Sequence, residues 1–171
     1  PACDDKETLK KMIAAGMDVA RFNMSHGTYE EQKKRFNTVK TAIAESGKNV
    51  AILLDTKGPE VRVGIFENGF VELHEGQEFS LLKEGGKGND KGVPLSYPKL
   101  VELFAADKDI KGREILLDDG KLSFVVKEAN QDAIVCTVVK GGKLSNRKSI
   151  NIPNYHINMP YVSAKDRADI E

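Results

Sequence analysis

Apolar positions along the first part of the chain recur with a helical period, interrupted by two short unbroken apolar runs. Leu9, Met12, Ile13 and Gly16 follow at helical spacing, with Asp4 and Glu7 as a capping pattern ahead of them. Gly16 suits the C-terminal position of that helix. Val19 to Met24 reads as a short strand, broken by Ser25-His26-Gly27. Thr28 and Glu31 form a second capping box, and Phe36, Val39, Ala42 and Ile43 trace the buried face of a helix ending near Gly47. Val50 to Leu54 is apolar throughout, the pattern of a parallel strand covered on both sides. Helix, strand, helix and strand with short links predict an α/β layer, and a right-handed crossover makes the two strands parallel.

From Val61 onward the period changes to two. Glu67-Asn68-Gly69 between apolar stretches predicts a hairpin. Val71 and Leu73, Phe79 and Leu81, Leu122, Phe124 and Val126, then Ile134, Cys136 and Val138 alternate with polar residues. Gly85 to Gly92 is polar and glycine-rich, lacks the ordering of a phosphate-cradling motif and opens no helix, so a flexible surface tip is expected. Leu100 to Phe104 predicts at most a short helix. Asp118-Asp119-Gly120 and Lys140-Gly141-Gly142-Lys143 read as turns, although the two aspartates could also approach a metal–nucleotide complex. Short strands spaced by such turns predict a small β-barrel or sandwich. Pro153 and Pro160 mark its end, and Ser163 caps a new helix. The expected organisation is an α/β part over residues 1–59, an inserted β module over 60–159, and a return to the α/β part over 160–171.

Chemistry concentrates just past the two parallel strands, whose C-terminal ends share one edge. Arg21, Asn23, Ser25 and His26 are expected there together with Asp55, Thr56 and Lys57. Taken alone, Ser25 to Thr28 is explained by a turn and a cap. Convergence favours a site, because the second helix aims its N-terminal N–H groups at the same place and so attracts a phosphate or carboxylate. The side-chain oxygens of Asn23, Ser25 and Asp55, with the Thr56 carbonyl, suit a hard cation. Arg21 alternates with Ala20 and Phe22 in an apolar strand, where an unpaired charge is expensive. It is either a strand-end arginine reaching solvent or an anion clamp. Arg147 and Lys148, near the end of the β module, are either a solvated pair or a pair that meets a phosphate-bearing ligand.

Composition narrows the partners. The 171 residues carry 26 Lys+Arg against 26 Asp+Glu, which gives no field for nucleic acid or an anionic membrane. No run approaches the roughly 18 apolar residues of a membrane span, and nothing resembles a signal peptide. Cys3 and Cys136 lie too far apart for a metal pair and read as free thiols in a reducing, cytoplasmic setting. The chain begins at Pro1 and ends inside a helical pattern, so a piece of a longer protein is expected.

Four segments resemble the pyruvate kinase family. They are Ala20-Arg21-Phe22-Asn23-Met24-Ser25-His26-Gly27, Leu54-Asp55-Thr56-Lys57-Gly58-Pro59-Glu60-Val61-Arg62, Ile115 to Gly120, and Lys148-Ser149-Ile150-Asn151-Ile152-Pro153. The first two are very specific, and the resemblance covers the whole chain. It implies a (β/α)8 TIM barrel of which strands two and three are present, with an all-β barrel inserted as a lid. It implies phosphoryl transfer from phosphoenolpyruvate to ADP, giving pyruvate and ATP in glycolysis, in a protein that is usually a homotetramer. By the same resemblance Arg21 is the catalytic arginine that meets the phosphate. Asn23, Ser25, Asp55 and Thr56 are potassium ligands, and Asn23, Met24, Ser25, His26, Arg62 and Lys148 are nucleotide-binding positions. Glu60 matches a glutamate that accompanies potassium dependence. The magnesium ligands and the catalytic lysine belong to later barrel strands, so this chain by itself is expected to be inactive. Ser149 stands where the family has glycine, and Asn154-Tyr155 follow Pro153 where it has Pro-Gly. The competing readings are a β-barrel binding module without catalysis and an inactive regulatory homologue.

Overall fold

The computed structural model describes residues 3–171. The chain divides into two compact units, Pro1–Pro59 with Pro160–Glu171 and Glu60–Met159.

The first unit is α/β. Helix α1 (Lys6–Ala14) is capped by Asp5, whose side chain accepts the Thr8 N–H at 2.9 Å. The cap therefore falls one residue later than the Asp4–Glu7 pattern suggests, which puts Glu7 too early in the turn to complete a capping box. Strand β1 (Val19–Asn23) leads to helix α2 (Tyr29–Ser46) and strand β2 (Ala51–Asp55). Both capping-box bonds between Thr28 and Glu31 form, and Gly47 ends α2 with φ 63°, a conformation that glycine adopts without steric cost. The strands are parallel, in register from Val19 opposite Ala51 to Asn23 opposite Asp55. Leu9, Ile13, Ala20, Phe22, Val39 and Ala42 form the core, with Phe36 edge-on to Phe22 at 5.7 Å. Helix α4 (Ala164–Ile170) is held by a capping box between Ser163 and Asp166.

Strand β2 departs from expectation. Ile52, Leu53 and Leu54 are 38%, 46% and 42% exposed, so the strand is not covered on both faces. Among the described residues β1 is its only hydrogen-bonded neighbour. An apolar run encodes a need for cover, and the covering residues are a separate matter of topology.

The second unit is built on a seven-stranded sheet. Its order is β3 (Val61–Arg62), β11 (Ser149–Asn151), β7 (Glu114–Leu117), β8 (Leu122–Ala129), β9 (Ala133–Lys140), β5 (Glu78–Leu82), β6 (Gly92–Pro94). The two ends of that order meet. Val63 bridges Leu95, Gly64 N–H donates to the Pro94 carbonyl at 2.7 Å, and Ser96 N–H donates to the Arg62 carbonyl at 2.8 Å. The sheet thus closes on itself and leaves few unpaired edges. Two register shifts in β8, at Ser123/Phe124 and Val126/Glu128, supply local coiling. Phe79, Leu81, Phe124, Val126, Ile134, Cys136 and Val138 all point into one core. Helix α3 (Lys99–Ala106) adds Leu100, Val101 and Phe104 to it. Burial pushes the Cys136 thiol up to about 12, so it serves as a small apolar residue.

Two local expectations change here. Glu67 to Gly69 does form a turn, with Gly69 at φ 80°, but its flanking strands do not pair with each other. Strand β4 (Phe70–Leu73) pairs instead with β10 (Gly142–Ser145), so the turn is not a hairpin. Gly85 to Gly92 is likewise no loose tip. Gly88 is buried, exchanges main-chain hydrogen bonds with Ile65 and Glu67, and a Cβ there would lie 2.7 Å from Val93. Its glycine permits close backbone approach.

Candidate functional site

In the first unit, Arg21 and Asp55 meet at the ends of β1 and β2. The Arg21 Nε donates to Asp55 Oδ2 at 3.0 Å, and Nη2 makes a second, very short bond to the same oxygen. Both bonds fall on Oδ2. The arginine side chain is 60% exposed, so the pair gains at most about 1 kcal/mol and is easily exchanged. An anion arriving at Arg21 and a cation arriving at Asp55 would each replace one half of the pair.

The β1–α2 loop carries Asn23, Met24, Ser25 and His26. Asn23 Oδ1 accepts the Ser25 N–H at 2.8 Å, and Met24 N–H donates to the Asp55 carbonyl at 2.9 Å. The loop is therefore stitched to the end of β2 beside Asp55 and Thr56. Asn23, Ser25, Asp55 and Thr56 thus lie at the ends of the two adjacent strands, and the Asp55 carboxylate is the one formal negative charge among them. Oxygen donors of this kind suit a hard cation. Among the described residues no group of three or more His, Cys, Asp or Glu side chains is placed to hold a metal ion.

The short helix α4 fastens both loops of this edge. Asp166, only 1% exposed, accepts the Gly58 N–H at 3.1 Å while capping its own helix. Its hydrogen bonds from Ser163, and then from Gly58, hold its carboxyl below the usual carboxylate range. Lys165 donates to the Met24 carbonyl at 3.1 Å and pairs with Asp169, which also accepts the Tyr29 hydroxyl at 2.8 Å. That last bond keeps the Tyr29 hydroxyl protonated above its ordinary range.

In the second unit, Arg62 and Lys148 are each held by a carboxylate. Arg62 grips Glu60 through Nε and Nη2, both at 2.7 Å, and its Nη1 donates to the Arg147 carbonyl at 2.7 Å. Ser96 fixes its main chain by accepting the Arg62 N–H at 2.8 Å. Lys148 Nζ lies 2.9 Å from Asp118 Oδ1, and Lys121 Nζ 3.1 Å from Oδ2. Lys148, then Lys121, holds the nearly buried Asp118 carboxyl below its usual range. Asp119 accepts the Ser149 hydroxyl at 3.1 Å. Asp118 and Asp119 adopt φ of 49° and 57°, and this left-handed pair makes the turn between β7 and β8. The turn reading of these aspartates is right, and Asp118 adds a second role as an anchor for Lys148.

The structure thus brings Arg21, Asn23, Met24, Ser25, His26, Asp55 and Thr56 to one strand edge, and places Arg62 and Lys148 on the other unit. Sequence reasoning missed Gln32, Lys165 and Asp166. Gln32 donates to the carbonyls of Asn23 at 3.0 Å and His26 at 2.6 Å. Gln32 lies at helical spacing from Phe36 and Val39, so the signal was its place on the buried face of α2, while the long-range bonds of Lys165 and Asp166 leave no local trace.

Residues 1–171 match the family model described as pyruvate kinase, barrel domain. The chain is 41% identical over 99% of its length to a pyruvate kinase of Geobacillus stearothermophilus, and 40% identical to one of Clostridium perfringens. It covers 28% and 35% of those relatives, so it spans about a third of their length or less. A crystal structure of a pyruvate kinase from Cryptosporidium parvum superposes with a TM-score of 0.86 at 35% identity, over 99% of this chain and 34% of that one.

Proposed function

The chain belongs to the pyruvate kinase family, and from that premise we propose that its full-length protein transfers the phosphoryl group of phosphoenolpyruvate to ADP. Pyruvate and ATP are the products, made in the cytoplasm as a step of glycolysis. The observation that carries this reading is the exchangeable Arg21–Asp55 pair beside the Asn23–Ser25 loop at the ends of two parallel strands.

Residues of the first unit supply two of a (β/α)8 barrel's strands, and Glu60–Met159 corresponds to the inserted lid domain. Arg21, freed from Asp55, would meet the phosphate of phosphoenolpyruvate and stabilise charge on its equatorial oxygens during transfer. Asn23, Ser25, Asp55 and Thr56 would hold potassium, which supplies positive charge near the transferring group. Magnesium, with ligands on later barrel strands, would neutralise charge on the phosphates when bound. The Asn23–His26 loop of the first unit is a nucleotide-binding segment, and Arg62 and Lys148 of the second unit are nucleotide-binding positions whose directions are preset by Glu60 and Asp118. In the reaction the bond between phosphorus and the enol oxygen breaks, a nucleotide oxygen bonds to phosphorus, and the enolate takes a proton at carbon. Because the lysine and magnesium ligands lie outside this chain, residues 1–171 alone would not turn over. The full-length protein would assemble as a homotetramer through other surfaces.

The test is pyruvate production from phosphoenolpyruvate and ADP, coupled to a dehydrogenase. Full-length protein is expected to turn over in potassium and at least tenfold more slowly in tetramethylammonium, and residues 1–171 to give no turnover. Absence of turnover by folded full-length protein in potassium and magnesium would overturn the reading.

A further inference from the structure

Gln32 is one of only three buried polar or charged side chains among the described residues, with Asp118 and Asp166. It stands four residues after the Thr28 cap, and its own N–H donates to the Thr28 carbonyl as an ordinary helical bond. Its carboxamide does something other than serve the helix. The two hydrogens of Nε2 go to two carbonyls of the preceding loop, Asn23 at 3.0 Å and His26 at 2.6 Å. These carbonyls bracket the segment that carries the candidate cation and nucleotide residues. The main chain between them is tied once more, where Met24 N–H meets the Asp55 carbonyl at 2.9 Å. A buried amide with both hydrogens used is expensive to misplace, since each carbonyl left unpaired costs about 1–3 kcal/mol.

We propose that Gln32 is the positioning residue of the β1–α2 loop, and that by pinning the Asn23 and His26 carbonyls it sets the cation affinity of the site. With the Asn23 and His26 carbonyls occupied, the oxygens proposed to meet a cation are those of the Asn23 and Ser25 side chains together with Asp55 and Thr56, Asn23 Oδ1 also accepting the Ser25 N–H. Without Gln32 the carbonyls would seek other donors, and the loop would sample arrangements in which Asn23 and Ser25 are no longer held in their turn. The ion would then pay for reordering them and bind more weakly, while the assembled site, once filled, would work nearly as before. The loop-ordering half of this inference is independent of function; the affinity half rests on the potassium reading above.

The test uses full-length protein with Gln32→Met, which removes both donors at similar size, and Gln32→His, which keeps one. Two quantities are read: the potassium concentration giving half-maximal activity, and hydrogen exchange of the Ser25 amide. Gln32→Met is expected to raise half-activating potassium at least tenfold, to lower kcat at saturating potassium less than threefold, and to speed Ser25 exchange at least tenfold. Gln32→His should fall between it and the parent. Half-activation within twofold of the parent in folded Gln32→Met would overturn the proposal. If Gln32→Met does not fold, Gln32→His decides, with a threefold or larger rise expected and no rise overturning the role. A parent indifferent to potassium would defeat the cation reading instead. Ser25 exchange then decides alone, unchanged exchange removing Gln32's role and faster exchange sustaining it.

Discussion

Phe124 and Leu53 are both large apolar residues at strand centres, and the molecule treats them oppositely. Phe124 lies in β8 of a sheet that closes on itself, fully buried and 5.7 Å from the ring of Phe79. Leu53 lies in β2, a strand with more continuous apolar character, and is 46% exposed. The hydrophobic content of the two regions does not account for the difference. What differs is whether this chain supplies a neighbour for every edge. In Glu60–Met159 the Val63–Leu95 bridge joins the last edges, whereas β1 and β2 make a two-stranded sheet. The closed region stores stability, and the open one carries the loops where anion and cation chemistry is proposed.

The largest effect that could break this comparison is a pair of truncations in residues 1–171. Phe124→Ala should destabilise the second unit by about 3–5 kcal/mol in urea unfolding, through lost transfer energy and a cavity. Leu53→Ala should cost less, about 1 kcal/mol, because nearly half of its surface is already in water. Equal costs at the two positions would show that β2 is covered in solution.

A smaller effect concerns pH. The folded-state carboxyl of Asp118 is depressed by Lys148 and Lys121, so the unfolded chain takes up that proton more readily. Its stabilising contribution is therefore present above its unfolded pKa, roughly 4, and is lost as pH falls through the lower folded value. Urea midpoints measured from pH 6 down to pH 3 should fall, and Asp118→Asn should remove part of that fall. An unchanged pH slope in the variant would mean that the two lysines do not hold Asp118 in solution.

Much of the fold could be read from local pattern. The period-two residues from Phe79 to Val138 are the barrel core, and the Thr28–Glu31 and Ser163 caps sit where short-range chemistry puts them. Alternation and capping depend on neighbours within four residues, so a sequence displays them directly. Long-range pairing is another matter. The Glu67–Gly69 turn leads into β4, which pairs with β10, and Gly88 is held by Ile65 and Glu67, neither of which local spacing reveals. In the candidate site, Arg21, Asn23, Ser25 and Asp55 were legible because parallel strands bring their C-terminal ends to one edge. Gln32 was not read, although it shares the buried face of α2 with Phe36 and Val39, because its polar side chain adds nothing to the apolar pattern and its two carbonyl partners are fixed only by the folded loop. Ser163 was legible as a cap, but Asp166 was not singled out, its bond to Gly58 spanning 108 residues.

The central claim is that the Arg21–Asp55 pair is a pair of binding groups held in reserve and contributes little to the fold. Arg21→Ala in the full-length protein tests it most directly, by turnover with phosphoenolpyruvate and ADP alongside a thermal melt. The account predicts turnover reduced at least a hundredfold with stability changed by less than about 1 kcal/mol, as an exposed ion pair allows. Turnover within threefold of the parent, or a collapse of the fold, would contradict it.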